Sequence, residues 1–74
     1  MISLRVLDVN GIEDKNQNSK IISYNYSFHE SNKSTLYFML ENGSSRQVKD
    51  VIGVSIRSGF AAFKTDKYTY LFFE

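Results

Sequence analysis

Apolar and polar residues alternate over Ile2-Ser3-Leu4-Arg5-Val6, a period of two that marks a strand with one covered face. Leu7 and Val9 interrupt the rhythm, which requires cover on both sides or a bulge. Ile22, Tyr24, Tyr26 and Phe28 then share one face, with Ser23, Asn25, Ser27 and His29 on the other. Leu36, Phe38 and Leu40 form the inward set of a third strand and leave Tyr37 and Met39 pointing outward. Pairing these two strands with Tyr26 and Phe28 on the side of Leu36 and Phe38 needs partner numbers with an even sum. The hairpin around Ser31-Asn32-Lys33-Ser34 is therefore expected to hold an odd number of residues, three or five, and Phe38 to be buried.

The next stretch carries two conflicting signals. Ser44 with Gln47 resembles a capping box, Val48, Val51 and Ile52 fall at helical spacing, and Gly53 stands where a helix ends. The β-branched run Val51, Ile52, Val54, Ile56 favours a strand instead. The spacing predicts a short helix near 45–52 followed by a strand over 53–57. Arg57-Ser58-Gly59 reads as a three-residue turn that sets Ile56 opposite Phe60, and Thr65-Asp66-Lys67 as the turn before a closing strand. In that strand Tyr68, Tyr70 and Phe72 share one face and Leu71 and Phe73 the other, so both faces need cover. Asn10 to Lys20 is a polar interruption long enough to be either mobile or functional.

These elements predict a mainly β fold, β or α+β: a small antiparallel five- to six-stranded barrel or two-layer sandwich with one short helix near 45–52, in a single domain over 1–74. Five tyrosines and six phenylalanines in 74 residues provide an aromatic core. The absence of cysteine excludes disulfides, thiolate metal sites and a cysteine nucleophile. No apolar run is long enough to span a bilayer as a helix and no secretory signal pattern stands at the start, so a cytoplasmic location and no membrane partner are expected.

Candidate chemistry is sparse. His29 and Glu30 are adjacent in a strand and point to opposite faces, so they cannot converge on one metal. The acidic residues fall at strand ends and turns, no serine has a histidine–acid partnership, and the four glycines form no phosphate loop. A chain that is not an enzyme, with no cofactor and no metal, is expected. Nine Lys and Arg against eight Asp and Glu leave a formal charge of +1, too little for strong steering to nucleic acid. Heavy use of Lys, Asn, Ile, Tyr and Phe fits an AT-rich genome and a phage- or mobile-element-like origin.

Surface apolarity is the remaining lead. Tyr37 and Met39 face outward beside Asn25 and His29, and the closing strand carries more apolar residues than one face needs. The reading is a small protein-binding module, an inhibitor or regulator that covers a surface of a larger protein through Tyr37, Met39, His29, Asn25, Tyr68, Tyr70 and Arg57. The competing arrangement has the short helix or the Asn10–Lys20 loop hiding Tyr37 and Met39. Two alternatives stand beside it. One is a small barrel that stacks single-stranded nucleic acid on Tyr37 and Tyr68 beside Lys33, Arg57, Lys64 and Lys67. The other is a self-assembling subunit, a homodimer joined through an edge strand.

Overall fold

Strand patterning prevails along almost the whole chain, including where helical spacing competes with it. A computed structural model describes residues 2–27 and 34–74. It contains β1 (Ile2–Asp8), β2 (Ser19–Ser27), β3 (Thr35–Leu40), β4 (Ser45–Lys49), β5 (Gly53–Arg57), β6 (Phe60–Lys64) and β7 (Tyr68–Phe73). These seven strands form one antiparallel sheet in the order β4-β3-β2-β1-β7-β6-β5. The mainly β, antiparallel class is as expected. The strand count is higher, and the sheet is not closed into a barrel: β4 and β5 are its two edges.

The expected helix near 45–52 is instead strand β4 and the break that precedes β5. Asn42-Gly43 supplies the reason. Gly43 takes φ 91°, its N–H donates to the Leu40 carbonyl, and the Asn42 side chain accepts from the Ser44 N–H. This turn sends Ser45–Lys49 back along β3, where Val48 fills the inner face opposite Leu36. Arg46, opposite Phe38, lays its guanidinium 5.5 Å from that ring, so a charged residue completes an apolar face without burying its head group. At the end of β4, Asp50 takes a left-handed φ of 60° and the chain crosses to the other edge.

A lone sheet can cover one of its faces only by curling over itself. Here it does. β3 and β7 are three steps apart in the sheet, a flat separation of about 14 Å. Yet the rings of Phe38 and Phe72 are 5.6 Å apart, Tyr26 and Phe63 5.4 Å, and Tyr24 stacks on Phe72 at 4.7 Å. The concave face thus closes on Leu4, Val6, Ile21, Leu36, Phe38, Phe63, Tyr70 and Phe72. A bulge between Ile21 and Ser23 assists the curl. It also corrects the expected face of β2: Ile21 is the buried residue and Ile22 is 54% exposed, while Tyr24 and Tyr26 remain inward. The β2–β3 register pairs Tyr26 with Leu36 and Ser27 with Thr35, the even sums expected, and Phe38 is buried. The loop length expected around Ser31-Asn32-Lys33-Ser34 and the placement of Phe28 lie outside the described residues.

The β5–β6 register also differs from expectation. Arg57 pairs with Phe60 and Ile56 with Ala61, leaving a two-residue turn with Gly59 at φ 75°. β7 holds Phe63 inward opposite the buried Tyr70, so a one-residue slip between β5 and β6 would turn Val54 and Ile56 to the convex side. The Thr65–Lys67 turn is as expected, with the Thr65 hydroxyl accepting from the Lys67 and Tyr68 N–H groups.

The Asn10–Lys20 loop is structural. β2 pairs with β1 only over Ile2–Leu4, which leaves the next part of β1 without a strand on that side. The loop fills the gap. Asn18 accepts from the Val6 N–H at 3.0 Å, the Asp14 N–H donates to the Val6 carbonyl at 2.8 Å, and Glu13 bridges to Leu7. Asp14 caps a 3-10 turn at Lys15–Gln17. No helix among the described residues is long and apolar enough to cross a membrane.

Candidate functional site

The convex face of the sheet starts from the same alternation that fills the core. Residues between inward positions on β2, β3 and β4 point outward in register: Asn25 and Gln47 flank Tyr37, and Ser23 and Ser45 flank Met39. Six neighbouring positions on three strands therefore carry no charge. Tyr37 is 42% and Met39 40% exposed, so neither the loop nor any other described segment hides them. The Gln47 amide reaches the Tyr37 hydroxyl at 3.4 Å. A shallow depression of about 200 Å³ lies over Ser23, Asn25, Tyr37, Met39 and Ser45.

This composition has a physical meaning. Tyrosine offers a large contact area with little rotamer entropy to lose, and methionine adapts to irregular surfaces. Serine, asparagine and glutamine supply adaptable hydrogen bonds, while the missing charges lower the cost of removing water.

The structure brings together Tyr37, Met39 and Asn25 from the residues expected at the site. Tyr70 stands on the concave face inside the core, with its ring 6.3 Å from Phe38 and 6.2 Å from Tyr68. Burial raises the pKa of its phenol above the usual value, with the nearby Arg46 charge opposing that shift and Tyr68 adding to it. Arg57 is exposed at the end of β5, the edge strand remote from β3 in the sheet order. His29 and Lys33 lie outside the described residues. Ser23, Ser45 and Gln47 were missed, because only the strand geometry of β4 brings the last two beside β3.

The aromatic and basic residues expected to hold nucleic acid do not gather on one face. Tyr37 is on the convex face of β3, Arg57 and Lys64 are on that face of β5 and β6 in the other half of the sheet, and Tyr68 is on the concave side. Near Tyr68, a depression of about 400 Å³ mixes Arg46, Lys49 and Lys67 with Asp50 and Asp66. Among the described residues no three histidine, aspartate or glutamate side chains cluster as ligands. Another depression, of about 350 Å³, includes Asp8, whose carboxylate already accepts from the Asn10 and Ile12 N–H groups.

No family model, curated protein or solved structure matches the chain.

Proposed function

We propose that this chain is a non-enzymatic protein-binding module, an inhibitor or regulator that acts by covering a surface of a larger protein. The observation that supports it is the charge-free convex surface of Ser23, Asn25, Tyr37, Met39, Ser45 and Gln47, with its two large side chains open to solvent. Tyr37 and Met39 are the anchors, and the polar neighbours fix orientation. Cytoplasmic residence and a phage- or mobile-element-like origin belong to the same proposal.

The test is affinity capture from the native cell with the intact chain and with a Tyr37→Ser, Met39→Ser double variant. The wild-type chain is expected to retain a protein that the double variant loses, with the thermal midpoint nearly unchanged. Equal capture by both chains would refute the assignment of this surface. So would a steep loss of stability, since it would make the pair part of the core. A labelled single-stranded oligonucleotide bound at low salt and released as salt rises would favour the nucleic-acid alternative.

A further inference from the structure

The two edges of the sheet are treated differently. β4 carries Arg46 on its concave side and Lys49 near its end, and a left-handed Asp50 follows it. Inward charge and edge lysine are standard protections against strand addition. β5 has neither. Its concave face shows Val54 and Ile56, 42% and 62% exposed, and Ile52 just before it is 69% exposed. The single charge of the strand, Arg57, is at its last position. Beyond the ladder with β6, no backbone group of Gly53–Arg57 is hydrogen-bonded among the described residues.

The segment also has the same apolar–small pattern in both directions, Ile52-Gly53-Val54-Ser55-Ile56, with only Gly53 and Ser55 exchanged on reversal. We propose that β5 is a self-complementary edge that joins two copies of this chain, antiparallel about a two-fold axis at Val54. In that register Val54 meets its own copy, the small residues Gly53 and Ser55 oppose each other on the convex side, and Ile52, whose N–H is held by the Lys64 carbonyl, can meet Ile56 through its side chain alone. The two Arg57 side chains fall at opposite ends of the paired strands, so no like charges meet. A two-fold contact demands a surface complementary to itself, and this sequence provides it. The joined edge pairs the free backbone groups and removes the exposed apolar row from water. β5 and the Tyr37–Met39 surface lie in opposite halves of the sheet, so either assignment can fail without the other.

The test combines sedimentation equilibrium with cross-linking. The wild-type chain is expected to pass from monomer to dimer between about 1 μM and 1 mM, and Ile56→Lys to weaken that association by about tenfold or more. Because the chain has no cysteine, Val54→Cys introduces the only thiol. At the axis it faces itself and should form an intermolecular disulfide on mild oxidation, much faster than Lys49→Cys on the other edge. A wild-type chain monomeric throughout that range, or equal cross-linking rates for Val54→Cys and Lys49→Cys, would overturn the proposal. An unaltered dimer in Ile56→Lys would overturn it as well.

Discussion

Phe72 and Phe73 are adjacent and chemically identical, yet the coiled sheet assigns them very different energies. Phe72 is buried on the concave face, with its ring 4.7 Å from Tyr24, 5.6 Å from Phe38 and 5.6 Å from Phe63. It links β7 to β2, β3 and β6, so it carries much of the curl. Truncating a buried phenylalanine to alanine costs about 3–5 kcal/mol, and each lost aromatic pair adds about 0.5–1.5 kcal/mol in favourable geometry. At about 0.05–0.15 kcal/mol per residue, a domain of this length holds roughly 4–11 kcal/mol. Phe72→Ala therefore removes a large part of the stability, and the chain should be largely unfolded or melt roughly 12–40 °C lower, from about 3–5 kcal/mol at about 4–8 °C per kcal/mol.

Phe73 points to the convex side. It is half-buried, with Phe60 5.2 Å away and the Arg5 guanidinium 5.7 Å from its ring. Its partial exposure and two ring contacts put the loss for Phe73→Ala at about 1–2 kcal/mol. Urea and thermal unfolding followed by circular dichroism measure both variants. Equal losses would refute the one-sided core, since they would require both faces of β7 to be covered alike.

Two further effects follow from buried polar groups. The raised Tyr70 pKa makes the folded state hold its phenolic proton longer than the unfolded chain. Its contribution to stability is complete below the unfolded value of about 10 and is lost as pH rises from there through the folded pKa. In an ultraviolet phenolate titration Tyr70 should ionise above the unshifted range, and Tyr70→Phe should flatten the alkaline loss of stability; an unchanged alkaline profile would contradict this. Asn18→Ala leaves the Val6 N–H without its side-chain acceptor and should cost about 1–3 kcal/mol, with faster amide exchange at Val6. No change in that exchange rate would show that the loop does not seal the ladder.

Alternation alone was enough to orient β3, because Leu36, Phe38 and Leu40 bracket Tyr37 and Met39 without ambiguity, and Asn25 follows from the even register. It failed where tertiary contacts choose between local options. Ser44 and Gln47 imitate a helix start, but Asn42-Gly43 had already turned the chain, a hairpin signal the capping pattern concealed. Ile22 kept the period of two while the bulge moved Ile21 into its place, a shift fixed by β1 on one side and β3 on the other. Phe60 gave no clue to its register, since Arg57-Ser58-Gly59 suits a turn of three residues as well as the two-residue turn that forms. Which strands form the edges is a property of the sheet order. The apolar row on β5 was visible as a strand, but its exposure was not.

The protein-binding reading turns on whether Met39 touches the partner, and the chain has two methionines, Met1 and Met39. Methyl-labelled methionine therefore gives an NMR spectrum simple enough to answer directly. On addition of the captured protein, the Met39 signal should shift or broaden in proportion to the complex formed. A Met39 methyl that stays fixed while the chain is saturated with partner would contradict the account.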